Sequence, residues 1–409
     1  MRIELYEYQT KHISEFDGCD LGGLQSFLSR NNLKKAIHIT PEGVHTSSFV
    51  GAIKYRNTQI EVLPKLLSDS TDPAQKVTML KNLIYMLSYT RSLDINVTGN
   101  AKLLSAHNPF LEVLIREFAV SLTHALKRST PKNYVYEEDN LTYIKGKINF
   151  NQNTKYNHAN RAKNYCTYNS FSENIELNQL FLFVASGLLS ISKDFDNVKL
   201  LRLIANVYTD IDIKAFTYEQ ACKITLLRSQ NMFKKPFELA KMFLSNSSVD
   251  LSKNKINSFA LMWDMNKLFE EFVYQIIKTK CKGVKVEFQK TKRLLRGDNY
   301  GKRRDTKVDI FMSYPRKVII DTKYKRLETL DNFANADVFQ VTTYCLLHNA
   351  NEAILLYPQW GIDKPNISPY TLNTDTGIEY NIKFRTINLH MDIKNNLDKL
   401  VTELQEILK

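Results

Sequence analysis

Long apolar runs are missing from this 409-residue sequence. A membrane-crossing helix needs roughly 20 consecutive apolar residues, and no segment offers them. Glycine (13) and proline (10) are scarce, which argues against long flexible linkers. Cysteine is scarce too. Cys19, Cys166, Cys222, Cys281 and Cys345 are odd in number and far apart. No pair has redox or metal-ligand spacing, so neither a disulfide framework nor a zinc site is expected. The opening MRIELYEYQT lacks the apolar stretch of a signal peptide, and a cytoplasmic location without membrane contact is expected. There is no internal repeat and no G-x-x-x-x-G-K-[ST] loop, hence no evident nucleotide site of the chain's own.

What is present is positive charge. Lys and Arg number 56 against 43 Asp and Glu, a net charge of +13. Such a surplus favours a polyanionic partner, nucleic acid first. A lysine-rich solvated surface, as an AT-biased genome produces, gives the same count. With 43% hydrophobic residues the chain is globular, and its length asks for two or three domains.

The order of periodicities predicts an α+β multidomain protein. Short β-branched and aromatic runs at Arg2–Tyr6, Ala36–Thr40, Ser47–Ile53 and Gln59–Leu63 read as strands, interrupted by a helix at Leu21–Ser29. Val77, Leu80, Ile84 and Leu87 then fall at helical spacing, as do Phe110, Val113, Leu114, Phe118 and Leu122. Tyr134–Phe150 reads as extended. Asn151–Asn164 is polar, without periodicity, and marks a boundary or loop. Helices follow from Ile175 to Leu244, and polar Asn246–Asn257 closes that block. The last third mixes a helix (Ala260–Lys280), strands (Val284–Gln289, Lys307–Met312, Val318–Lys323), a helix (Asn332–His348), two further strands (Ala353–Tyr357, Tyr380–Leu389) and a final helix (Ile393–Leu408). The expected layout is a β-rich N-terminal domain (1–150), a mainly helical region (151–255) and an α/β domain (256–409) with a central mixed sheet flanked by helices.

The chemistry concentrates in that last part. Alternation along a strand places Asp321 and Lys323 on one face. If the strand of Asp309 pairs with it, two carboxylates and one ammonium converge. Asp321 directly follows Val-Ile-Ile, at the end of an apolar core strand, where a charge is rarely placed unless paired or metal-bound. Hard carboxylate oxygens suit Mg2+, with Mn2+ as a substitute. Such a site activates water and neutralises charge in phosphodiester hydrolysis. The lysine orients or deprotonates that water, or stabilises developing charge. An isolated D-x-K triplet also arises by chance as solvated charge.

Asp309…Asp321-Thr-Lys323 resembles the D…(D/E)-x-K signature of the restriction-endonuclease-like nuclease superfamily. Val308 stands where a proline often precedes the first Asp. The resemblance implies a helix that supplies a further acid, and Leu268-Phe269-Glu270-Glu271-Phe272-Val273 is similar to it. Glu270 flanks the apolar face; Glu271 lies farther round. Gln340 and Tyr344, four apart on a helix face, resemble the Q-x-x-x-Y motif that helps place metal ligands and DNA in several such nucleases. An ordinary amphipathic helix reads the same way. The basic residues Lys290, Lys292, Arg293, Arg296, Lys302, Arg303 and Arg304 precede the Asp309 strand and are expected to hold duplex DNA by its phosphates; a solvated loop is the alternative.

Across its length the chain resembles the McrC family, the nuclease subunit of McrBC-type modification-dependent restriction systems. The resemblance is carried by Ile60-Glu-Val-Leu-Pro64-Lys65, by Glu137-Glu138 with Lys145-Gly146-Lys147, by Phe171-Ser-Glu-Asn174-Ile-Glu-Leu-Asn178 and by Leu356-Tyr357-Pro358. It implies an AAA+ GTPase partner of McrB type that forms a ring and recognises modified DNA. The chain would dock through its N-terminal part, stimulate GTP hydrolysis and supply the nuclease. The nuclease part is expected to fold without residues 1–150. A stand-alone repair or recombination nuclease and a non-catalytic nucleic-acid-binding protein remain open on the residues alone.

Overall fold

The computed structural model describes residues 2–65, 73–90, 109–245, 247–250, 255–295, 304–325, 335–359, 369–373 and 377–409. The chain packs as two compact units. The first combines residues 1–52, 57–110 and 262–409; the second combines 53–56 and 111–261.

The first unit holds a six-stranded mixed sheet. Its order is Lys285–Leu295, Arg304–Tyr314, Val318–Thr322, Glu352–Pro358, Glu379–Ile387, Tyr370–Asn373. The first three strands are antiparallel neighbours, and the third and fourth run parallel. Val318, Ile319 and Ile320 are buried, as are Ala353 to Tyr357, the continuous apolar pattern of strands covered on both faces. The helices Met265–Lys280 and Asn335–His348 pack against this sheet.

N-terminal elements belong to the same unit. Arg2–Tyr6 pairs in parallel with Thr58–Leu63. Thr10–His12, Gly43–Thr46 and Ile37–Ile39 form a small antiparallel sheet. The helix Pro73–Thr90 lies on the C-terminal elements. Tyr85 and Tyr89 meet Phe272 edge-on, at 6.3 and 5.7 Å between centroids. Asn82, buried, donates through Nδ2 to the carbonyls of Leu389 (2.8 Å) and Met391 (2.7 Å) and accepts from the Ile393 amide (3.0 Å). The last third thus shares a unit with residues 1–52 and 57–110 rather than forming one by itself. Its helix Met265–Lys280 loses part of its cover when Pro73–Thr90 is removed.

The second unit is mainly helical. Phe118, Phe181, Phe233 and Phe243 form its aromatic core. Glu112, buried, accepts from Ser192 Oγ, the Lys193 amide and Asn197 Nδ2. A ribbon of Asn133–Leu141 and Asn164–Ser172 stands on this unit, with Lys147–Ile148 on its second edge. Gly146 has φ +70°, and a Cβ there would meet Thr167 O at 2.4 Å. Only glycine fits that bend.

Four local expectations change. Asn151–Asn164 is not a loop but contains the helix Phe150–Asn157, capped by Asn149, whose side chain accepts from the Gln152 amide. Its order comes from amides, with Asn157 Nδ2 donating to Asn140 Oδ1 (2.8 Å) and Asn153 Oδ1 (2.7 Å). A hydrophobic period cannot report that. Likewise, polar Asn246–Asn257 contains a strand, Ser247–Asp250, paired with the next one. Residues 260–264 are strand, not helix, because the strand Lys255–Asp264 runs on until Asp264 caps the helix. Asp264 Oδ1 accepts from the Asn266 amide (3.1 Å), as an N-cap does. Finally, the strand expected to end at Gln289 continues to Leu295, so Lys290, Lys292 and Arg293 stand on a two-stranded ribbon rather than in a loop.

Candidate active site

Asp321 closes the buried strand Val318–Thr322 and is 1% exposed. The pair Ile310↔Ile320 sets Asp309 on the neighbouring strand one rung farther on, opposite Asp321. Lys323 Nζ lies 2.8 Å from Asp321 Oδ2, and Asp321 Oδ1 is buried with no hydrogen-bond partner among the described residues. An unsatisfied buried carboxylate oxygen is costly unless something else ligates it. Asp309 Oδ2 accepts from the Thr322 amide (2.8 Å) and Thr322 Oγ1 (2.9 Å).

Burial lifts the carboxyl of Asp321 to about 7, and the charge of Asp309 adds to the rise. Burial raises Asp309 as well, against the Thr322 hydrogen bonds. Glu270, on the helix Met265–Lys280, is lifted to about 7 by burial and then by Asp309. Its carboxylate accepts from Gln289 Nε2 at 3.0 Å. Burial alone would lower the Lys323 ammonium, but Asp321 overrides it and the net shift is upward. Three acids that resist joint ionisation, beside one cation, mark a site that gains from a further positive charge.

Lys323 is held from three sides. Beyond Asp321, its ammonium donates to Gln340 Oε1 (3.0 Å) and lies 3.5 Å from Asp337 Oδ1. Gln340 in turn donates to Tyr344 Oη (2.8 Å). The structure thus brings together Asp309, Asp321, Lys323, Glu270, Gln340 and Tyr344. Glu271 makes no hydrogen bond or ion pair among the described residues. Among those residues no three acidic, histidine or cysteine side chains converge closely enough to cage an ion by themselves. Magnesium does not require a cage, since it keeps several waters and binds through one or two carboxylates. The hard oxygens here and the orphaned Asp321 Oδ1 fit it.

The ribbon leading into the site is not regular. Phe288 stacks on Tyr274 of the Glu270 helix, centroids 4.7 Å apart. Two residues on, Lys290 Nζ lies 4.0 Å over the Phe311 ring. Phe311 belongs to the core cluster with Ile319, Val341 and Tyr344 under the Gln340 helix. Residues two apart on a pleated strand share a face; these do not. The pairs Phe288↔Ile310 and Lys290↔Val308 keep the same count on both strands, so no residue is inserted. The pleat inverts on the rung between them, where Gln289, at φ +51°, stands opposite Asp309. Val308 and Phe311, three apart, accordingly join the same core cluster.

Of the basic residues expected to hold DNA, Lys290 pairs with Glu287 (2.7 Å) and Lys292 donates to the Leu347 carbonyl. Arg293 and Arg304 are exposed. Arg296, Lys302 and Arg303 lie outside the described residues. Sequence reasoning left Asp337, Gln289 and Lys307 without a role. Asp337 was legible as the residue three before Gln340 on the same helix. Lys307, whose charge favours the ionised forms of Glu270 and Asp309, was legible two before Asp309. Nothing in the sequence announces the backbone of Gln289.

The family profile described as "McrBC 5-methylcytosine restriction system component" matches residues 44–358. The chain belongs to this family. A search of curated proteins finds no match. Among solved structures, the fold of this McrBC-family chain is similar to a half-complex from a tetradecameric assembly of Thermococcus gammatolerans McrB AAA+ hexamers with bound McrC. The identity is 19%, the coverage 100% of both chains and the TM-score 0.76. A second similar chain comes from the cryo-EM structure of the Thermococcus gammatolerans McrBC complex, with 20% identity, 68% of this chain and 88% of that one covered, and a TM-score of 0.54. Over the described residues, no helix is long and apolar enough to cross a membrane.

Proposed function

We propose that this chain is the DNA-cleaving subunit of a McrBC-type restriction complex, a Mg2+-dependent endonuclease that works with an AAA+ GTPase ring of McrB type and stimulates it. The observation that carries the reading is the Asp321–Lys323 pair at the end of a buried strand, with Asp321 Oδ1 unpartnered and Asp309 opposite. Asp309, Asp321 and Glu270 are the residues that would hold the cation. When bound, it supplies Lewis-acid activation of water and neutralisation of phosphate charge. The acceptors around Lys323 keep its ammonium charged and fixed, suited to stabilising charge that develops on the scissile phosphate. Gln340 orients that ammonium and is itself oriented by Tyr344. Arg293 and Arg304 contact the duplex backbone.

The partner follows from family membership, since McrC of Thermococcus gammatolerans is bound to McrB hexamers, and from the missing phosphate-binding loop. Modified DNA as substrate follows from the family's 5-methylcytosine restriction. Docking on the ring is assigned to the N-terminal 150 residues. Tyr134, Tyr136 and Phe150, each more than half exposed, support a contact surface there.

The test is Asp321→Ala in the complex with its GTPase. Cleavage should fall by at least about 10²–10³-fold, while assembly and DNA affinity hold, because removing a negative charge beside phosphates does not weaken binding. Full cleavage by this variant sinks the proposal.

A further inference from the structure

Phe288 and Gln289 are consecutive on one strand, yet both reach the same helix. Phe288 stacks on Tyr274, and Gln289 Nε2 donates to Glu270 Oε1. Glu270 and Tyr274 are four apart and share a helix face. Regular pleating sends neighbouring side chains to opposite faces. The left-handed backbone at Gln289 lifts this restriction, on the rung opposite Asp309. A non-glycine residue in that conformation is strained, and such strain persists where the surroundings over-determine it, commonly at functional sites. No glycine or asparagine stands here to relieve it. What the conformation gains is the amide beside Glu270.

We propose that Gln289 is a positioning residue that holds the Glu270 carboxylate toward Asp309 and so completes the divalent-cation site; this rests on the nuclease reading above. The chemistry suits the task. An amide donates to one carboxylate oxygen without cancelling its charge, which leaves the other oxygen for a cation. A lysine or arginine in its place would neutralise Glu270 and repel the ion. Among the described residues this is the one hydrogen bond that the Glu270 carboxylate accepts.

The experiment is calorimetric titration of the full-length chain with Mn2+, without DNA or partner. Gln289→Ala should weaken binding about 10–100-fold, the range found when the group behind a metal ligand is removed. Gln289→Gly separates positioning from scaffolding. Glycine takes the left-handed backbone without steric cost, so the thermal midpoint should equal or exceed that of the wild type, while Mn2+ affinity falls as in the alanine variant. A structural role gives the opposite pattern, with the glycine variant binding Mn2+ as the wild type does. Wild-type affinity in both variants overturns the proposal. Asp321→Ala is the control. If it loses Mn2+ while the Gln289 variants keep it, the positioning role fails and the nuclease reading stands. If it binds Mn2+ like the wild type, or if the wild type binds none, both fall together.

Discussion

Gln340 Oε1 accepts from Lys323 Nζ at 3.0 Å, while the same side chain donates through Nε2 to Tyr344 Oη at 2.8 Å. The amide is thereby fixed in one orientation, with its carbonyl toward the ammonium. The lysine is aimed by a neutral group as well as by acids, so its direction does not depend on Asp321 alone.

Removing this aim should cost turnover and spare binding. Gln340→Leu keeps the volume and loses the acceptor, and kcat should fall about 10–100-fold, with KM for DNA little changed. Tyr344→Phe should give a smaller loss of the same kind. Steady-state cleavage with partner and nucleotide supplied checks both. A rise in KM at constant kcat would assign Gln340 to DNA binding instead.

Cation affinity should rise with pH. Asp321 and Glu270 sit at about 7 in the folded chain, against ordinary values of 3.8 and 4.5. A folded-state pKa above the unfolded one gives stability that is complete below the unfolded value and lost as pH rises through the folded one. A divalent cation binds the ionised forms and reverses that loss. Mn2+ affinity should therefore increase between about pH 6 and about pH 8, by about tenfold for each carboxylate that must give up a proton. Thermal stabilisation by the cation should grow over the same interval. Calorimetry and melting curves test this, and a flat profile would remove these two acids from the site.

Asn82→Leu should destabilise the unit that carries the carboxylates. The change strands the carbonyl of Leu389 and the amide of Ile393, both buried, and the part-buried carbonyl of Met391, at about 1–3 kcal/mol for each buried group left unsatisfied. Chemical denaturation followed by tryptophan fluorescence reads it out. Unchanged stability would mean that the Asn82 hydrogen bonds contribute nothing to holding the helix Pro73–Thr90 in this unit.

Arg293→Ala with Arg304→Ala should weaken DNA binding uniformly across sequences. The slope of log K against log salt should flatten by about one to two units, since about 0.9 counterion is released per phosphate contact. Salt titrations by fluorescence anisotropy measure it. An unchanged slope would place the duplex elsewhere.

The carboxylate cluster was legible in the sequence to the extent that it obeys period and register. Asp321 after Val-Ile-Ile, Glu270 on the flank of an apolar helix face and Gln340 four before Tyr344 all follow from counting residues. The facing of Lys290 and Lys292 was not legible, because the count assumes a regular pleat and Gln289 inverts it. The attachment of Pro73–Thr90 was hidden for a different reason. A single asparagine binds three backbone groups more than 300 positions away, and no local pattern encodes such a partner. The helix Phe150–Asn157 is ordered by amides, which hydrophobic periodicity does not register.

The clamp on Asn82 also sets a timetable for synthesis. Its partner Leu389 follows 307 positions later. At about 5–20 residues per second, that segment leaves the ribosome roughly 15–60 s after Asn82 does. Until then Asn82 lacks its three backbone partners. The second unit is nearly continuous in sequence, from 111 to 261, and can condense during that interval. Asp309, Asp321 and Glu270 all belong to the unit whose last residues are made at the end of synthesis, so the carboxylate cluster is completed after the second unit has had time to fold.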